Sequence, residues 1–249
     1  MSANEYIYGF HAVQSRLRSH ADSVNELYVD VERKDQRVRN LLELAEQLKV
    51  RILPVDRKRL DGMAGNDKHQ GCVARVSAIK LAVSIADVLD VLTEPALLLV
   101  LDGVQDPHNL GACLRLADAL GAHAVIAPKD RAVGVNATVR KVASGAADVV
   151  PFIPVTNLAR SLRELKDAGI WLMGAAGDAE QDLFATQLVG PVAWVMGAEG
   201  EGLRRLTREH CDVLVRIPMF GSVDSLNVSV ASGICLYETR RQRGALAKD

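Results

Sequence analysis

Five polar residues of this chain stand where apolar runs give way to turns: Asn109, Arg115, Glu199, Ser225 and Asn227. Asn109 lies in Leu101-Asp-Gly-Val-Gln-Asp-Pro-His-Asn-Leu-Gly-Ala-Cys-Leu-Arg115, where Asp-Gly and Asp-Pro mark a turn before a helical pattern. Its amide oxygen suits the N-cap of that helix, because asparagine accepts the unpaired amide hydrogens of a first turn. Arg115 follows in a stretch that Leu114, Ala117, Ala119 and Leu120 make largely apolar. Either its guanidinium faces solvent or it grips an anion, and an RNA phosphate matches its fork of donors. A guanidinium is a poor general base, so this side chain would orient a substrate and steady a negative charge rather than take a proton.

Glu199 sits in Val192-Ala-Trp-Val-Met-Gly-Ala-Glu-Gly-Glu-Gly202, a strand pattern ending in glycines 197, 200 and 202. Glycine there lets the backbone approach a ligand or take positive φ, although a tight strand-to-helix turn would use it too. The order is G-x-x-G-x-G, whereas dinucleotide binding requires G-x-G-x-x-G and a P-loop requires G-x-x-x-x-G-K-[ST]. An acidic ribose anchor about 20 residues further on is also missing, which disfavours a nicotinamide-dependent oxidoreductase. In the third segment Val213–Ile217 meets Pro218, passes Gly221 and enters the Leu226, Val230, Ile234, Tyr237 stripe of a helix. Ser222, Asp224, Ser225 and Asn227 crowd its start, more than one cap requires, which leaves Ser225 and Asn227 to meet a substrate.

Other chemistries find no support. The histidines at 11, 20, 69, 108, 123 and 210 lack metal-ligand spacing, and no G-x-S-x-G is present. Cys72, Cys113, Cys211 and Cys235 form no close pair, which points to a reduced, cytoplasmic chain without disulfides. No basic region followed by an apolar one opens the sequence, and the run from Pro95 to Leu101 is far shorter than the roughly 20 residues a membrane span needs. A net charge of -1 excludes a grossly basic nucleic-acid binder, but residues 1–80 carry +3 and the remainder -4.

The elements that must hold these residues follow from periodicity. From Leu97 onward, strands at Leu97–Leu101, Ala124–Ala127, Val149–Ile153, Ile170–Met173, Val192–Met196 and Val213–Ile217 alternate with helical patterns. These helices are expected at 110–120, 137–144, 157–168, 203–209 and 226–242. Strands apolar on both faces and interleaved with amphipathic helices indicate an α/β fold with a covered parallel sheet. Before it, helices near 10–19 and 35–48 and strands at Glu26–Val31, Val50–Pro54 and Gly71–Val76 form a smaller module. The expected division is 1–76, a linker at 77–94 with a short helix at 84–92, and 95–249, ending in a frayed tail from Gly244 to Asp249.

Taken together, Asn109-x-Gly111-x-x-x-Arg115, Met196-Gly197-x-Glu199-x-x-Gly202, and Ile217-Pro218-Met219 through Ser225-Leu226-Asn227-Val228-Ser229 resemble the three motifs of the SpoU branch of the SPOUT methyltransferases. Tyr8-Gly-Phe-His-Ala-Val13 and His69-Gln-Gly71 look like the substrate-binding module attached to that branch, so the resemblance covers nearly the whole chain. It implies a C-terminal parallel-sheet methyltransferase domain with a trefoil knot, a small N-terminal α/β RNA-binding domain, and a homodimer. S-adenosylmethionine is the implied methyl donor, held by backbone around Gly197, Ile217, Met219 and Leu226, with no metal. Asn109, Arg115, Glu199, Ser225 and Asn227 are the implied catalytic group. The implied reaction is methylation of a ribose 2'-hydroxyl, of a guanosine in 23S ribosomal RNA; a transfer RNA substrate or a non-catalytic ribosome-assembly protein are the alternatives. Lys34, Arg37, Arg39, Arg57, Lys58 and Arg59 then offer phosphate contacts, unless they only form a solvated face.

Overall fold

Short strands alternate with helices from the first described residues. This computed structural model describes residues 5–77, 81–200 and 202–244, and the chain divides into two compact units between residues 80 and 81. Residues 78–80 of the expected linker, Glu201 of the glycine turn and the tail after Gly244 lie outside the described residues.

The first unit comprises β1 (Glu5–Tyr8), α1 (Phe10–His20), β2 (Val24–Asp30), α2 (Gln36–Gln47), β3 (Arg51–Val55), α3 (Arg57–Ala64) and β4 (Cys72–Val76). Its sheet runs β1-β4-β2-β3, with β2 and β3 parallel and the other pairs antiparallel. One face packs Leu27, Val29, Cys72 and Ala74 with Leu17 and Leu41 of α1 and α2. On the other face Tyr28 and Val73 meet Leu60 of α3. Two elements here have no counterpart in the sequence reading. β1 is only four residues long, and the Arg-Lys-Arg-Leu-Asp-Gly of α3 shows no apolar repeat; its start is instead marked by Asp56, whose carboxylate accepts the Arg59 amide at 2.8 Å. Arg57, Lys58 and Arg59 therefore occupy a first helical turn and are exposed.

The second unit begins with α4 (Ile85–Leu89), closed by a reciprocal Ser84–Asp87 capping box. Ile85 and Val88 are buried with Leu98, Ile170 and Leu172, so from Ser84 on the expected linker is core of this unit. Then come β5 (Leu97–Asp102), α5 (Pro107–Ala119), β6 (Ala124–Pro128), α6 (Ala137–Ala143), β7 (Phe152–Val155), α7 (Leu158–Asp167), β8 (Trp171–Ala175), β9 (Gln181–Asp182), β10 (Val192–Gly197), α8 (Arg205–His210), β11 (Val213–Arg216) and α9 (Val228–Gln242). β7 starts three residues later than Val149, because residues 146–148 make a 3-10 turn and Pro151 has no amide hydrogen to give.

All strands of this unit run parallel in the order β7-β6-β5-β10-β8-β11-β9. Alternate residues point to opposite layers: Leu97, Leu99 and Leu101 pack toward α5, α6 and α9, while Leu98 and Val100 pack toward α4 and α7. Trp194 of β10 is fully buried and donates its indole N–H to Thr239 Oγ1 at 2.9 Å, which ties α9 to the sheet centre.

Candidate active site

The chain leaves β5 toward β6 and β7, returns on the other side at β8, and fills the gap with β10. Such a reversal opens a crevice at the carboxyl ends of the strands, where an α/β sheet holds its ligand. Gly197 of β10 stands opposite Asp102 of β5 at that end, which brings the first and second segments together. The third arrives from β11 and enters α9.

Asp106, not Asn109, caps α5: its carboxylate accepts the His108 amide at 2.8 Å, and Pro107 takes the first helical position. Freed from capping, Asn109 is 7% exposed within the first turn. Its Nδ2 donates to Glu199 Oε1 at 3.1 Å, and its Oδ1 accepts Asn227 Nδ2 at 2.9 Å. Asn227 Nδ2 also donates to Glu199 Oε1. The opposite end of Asn227 caps α9, where Oδ1 accepts the Ser229 amide at 2.9 Å and the Ser229 hydroxyl at 2.6 Å. A backbone N–H can only donate, so this cap fixes which end of the amide turns toward Asn109 and Glu199. Asn227 is thus spent on the protein rather than free for a substrate, and one triangle of side chains binds all three turns.

Glu199→Ala would leave the Nδ2 of buried Asn109 without its acceptor and cost Asn227 one of its two, since Asn227 Nδ2 still donates to Asn109 Oδ1. The expected loss is about 1–3 kcal/mol, read as roughly 2–4 °C of melting temperature per kcal/mol. Glu199→Gln keeps a carbonyl oxygen at the same place and retains most of the stability. Scanning calorimetry of both variants checks this, and an Ala variant melting with the wild type would show that the triangle holds nothing.

The glycine turn is closed by backbone. Gly202 N–H donates to Ala198 O at 3.0 Å, with Gly200 at φ 80° and Gly202 at φ 66°. A Cβ on Gly197 would stand 2.0 Å from Gly202 C and 2.3 Å from Leu203 N. Asp102, 1% exposed, holds the far end: its Oδ2 accepts the Arg204 amide at 3.0 Å, while the Arg204 guanidinium lies 3.5 Å from Oδ1. In the sequence Asp102-Gly103 is a turn signal, and nothing in residue type announces a buried carboxylate across the sheet.

Between these turns lies a cavity of about 1040 Å³. All four residues expected to hold a cofactor, Gly197, Ile217, Met219 and Leu226, line it, together with Glu199, Ser225 and Asn227. A Cβ added at Gly200, Gly202 or Gly221 would meet no atom within 4 Å, so glycine there leaves the wall smooth and the space open. Met196, Val215, Val228 and Ala231 supply apolar wall. Arg216 also lines the cavity, but its charge is answered by Asp182 beside it, which holds the guanidinium protonated even more firmly than usual. Of the expected polar group, Ser225 is an exposed wall residue, whereas buried Asn109 braces from behind.

Arg115 is placed apart. It is exposed on α5, does not line the cavity, and forms no ion pair with the described residues. The solvent-facing alternative describes its present surroundings, and its charge remains available to an external anion. Burial pushes the thiols of Cys72, Cys113, Cys211 and Cys235 up to about 12, so none offers a thiolate at neutral pH. Among the described residues no cluster of His, Cys, Asp and Glu could hold a metal.

Residues 96–237 match the SpoU rRNA Methylase family, and residues 6–82 match the family described as RNA 2'-O ribose methyltransferase substrate binding. The chain is 61% identical to the 23S rRNA (guanosine-2'-O-)-methyltransferase RlmB of Ralstonia nicotianae over 99% of both chains. It is 60% identical to the protein of the same name from Nitrosomonas europaea, over 97% of this chain and 93% of that one. Among solved structures it is similar to the SpoU methyltransferase AviRb from Streptomyces viridochromogenes in complex with AdoMet, at 26% identity and a TM-score of 0.62, covering 97% of this chain and 91% of the other. Motifs, fold and full-length likeness agree: the chain belongs to the SpoU rRNA methylase family.

Proposed function

We propose that this protein transfers a methyl group from S-adenosylmethionine to the ribose 2'-hydroxyl of a guanosine in 23S ribosomal RNA. The observation that carries the reading is the open, glycine-walled cavity at the ends of β10 and β11, built from the second and third motifs and braced to the first by Asn109. Full-length relatives at about 60% identity bear that activity in their names, and AviRb is described with AdoMet bound. A non-catalytic assembly protein would have no need of this cavity.

The donor, when bound, supplies a methyl group on a positively charged sulfur. Everything else falls to the chain. Backbone around Gly197, Ile217, Met219 and Leu226 would hold the donor, and the apolar part of the wall would keep water from competing for the methyl. Methyl transfer is an in-line displacement, so placing the 2'-oxygen close to the methyl supplies much of the acceleration. Ser225, exposed on the wall, orients the sugar. Arg115 grips a neighbouring phosphate and steadies the developing negative charge, while Glu199 and Asn227 keep the turns in register behind it. Titration calorimetry tests the donor directly: saturable binding of S-adenosylmethionine and none of NAD is expected, and the reverse would overturn the reading.

The same proposal includes a homodimer, a threaded C-terminus and a cytoplasmic place of action. An apolar groove of about 520 Å³ runs between α5 and α9, lined by Leu116, Phe184, Val230, Ile234 and Tyr237. Phe184 is 68% and Tyr237 63% exposed in the single chain, which suits a face covered by a second copy. Tyr237→Glu is expected to yield monomers in sedimentation velocity runs; an unchanged dimer would place the interface elsewhere. α9, seated under Trp194 with its cap in the triangle, is the segment the trefoil knot would thread. Among the described residues no helix is long and apolar enough to cross a membrane. In the first unit Lys34, Arg37, Arg39, Arg57, Lys58 and Arg59 would meet RNA phosphates.

A further inference from the structure

We propose that Phe220 is a stacking contact for the base of the nucleotide presented to the cavity, an inference that rests on the methyl-transfer reading above. Phe220 is 90% exposed, more than any other large apolar residue among those described. Its neighbours Met219 and Gly221 both line the cavity, while Phe220 does not, so it stands outside the mouth on the same loop. Met219 at 36% and Val223 at 59% exposure extend an apolar rim beside it.

A phenylalanine left in water forgoes the stabilisation that burial would give, so this ring serves no packing purpose in the single chain. Chemistry selects its occupant. A ribose whose 2'-oxygen meets the methyl inside the cavity carries its base on the adjoining carbon, and that base must therefore lie along the rim. Bases splayed out of a folded RNA are held by stacking on aromatic planes. A second copy of this chain is a poorer occupant, because the groove read as the dimer face is formed around α5 and α9 and includes no residue from 218 to 226.

Phe220→Ala, Phe220→Leu and Phe220→Tyr separate the possibilities. Each is assayed with radiolabelled S-adenosylmethionine on 23S rRNA and on ribosomal precursor particles from a strain lacking the gene, beside donor titration and sedimentation. Ala and Leu are expected to raise the KM for RNA roughly 5- to 100-fold, and Tyr to stay near the wild type. Donor affinity and oligomeric state remain unchanged in all three. A Leu variant with the wild-type KM would show that apolar bulk suffices, and an unaffected Ala variant that the ring is idle. An Ala variant that falls apart into monomers would assign the rim to a second copy. Any of these overturns the stacking role while methyl transfer by the wild type stands; a wild type that methylates neither substrate instead overturns the parent reading, and this inference with it.

Discussion

Gly197→Ala is expected to abolish S-adenosylmethionine binding, with at least about a 100-fold loss of affinity. The added methyl would stand 2.0 Å from a backbone carbon and 2.3 Å from two further backbone atoms. No rotation relieves such a clash, because neither partner is a side chain. The turn closed by the Ala198–Gly202 hydrogen bond must open, and with it goes the wall formed by residues 197–200. Stability should fall as well, by about 3 kcal/mol or roughly 6–12 °C in melting temperature, near the upper range for overpacked cores. Gly200→Ala provides the contrast: its Cβ meets no atom, so the fold should survive with only the strain of a positive φ, while the cavity narrows. Calorimetry of folding and of donor binding on both variants checks the pair. A Gly197→Ala protein that binds the donor normally would remove the glycine turn from the site.

Arg115→Ala should lower methyl transfer by about 100- to 1000-fold, the usual loss when one charge-stabilising group is removed from a reaction centre. Arg115 lies outside the cavity, so donor binding is expected to be unchanged. Its exposure, with no ion pair to the described residues, also predicts an unchanged melting temperature. That combination, with activity gone while fold and donor affinity remain, separates a reacting-group role from a structural one. Arg115→Lys keeps the charge and loses the two-pronged grip, so it should recover only a small part of the rate. A Lys variant working at full speed would show that charge alone is needed.

Much of this site was legible in the sequence, for identifiable reasons. Strands such as Leu97–Asp102 are buried at every position, and continuous apolar runs between turns state that plainly. Pro107 at the start of α5 marks Asp106 as its cap, yet Asn109 suits a cap by residue type equally well, and only the observed bonds decide. For Asn227, residue type showed a polar group at the helix start but not that both ends of its amide were committed, because its partners lie 118 and 28 residues away. Residue type hides Asp102 for the same reason: its burial depends on β5 pairing with β10, where its partner Gly197 lies 95 residues later in the chain. Helix α3 went unread because one buried leucine makes no periodic pattern. Local chemistry carries the turns, and long-range pairing decides which of their side chains remain free.

The central claim is that three separated turns form one pocket that places a methyl donor beside an RNA sugar. Ribose-methylation mapping of 23S rRNA tests it most directly, using cells without this protein and the same cells supplied with the wild type or with Arg115→Ala. One guanosine is expected to lose its 2'-O-methyl group on deletion, regain it with the wild type, and stay unmodified with the variant. A 23S rRNA methylated identically in all three strains would contradict the account.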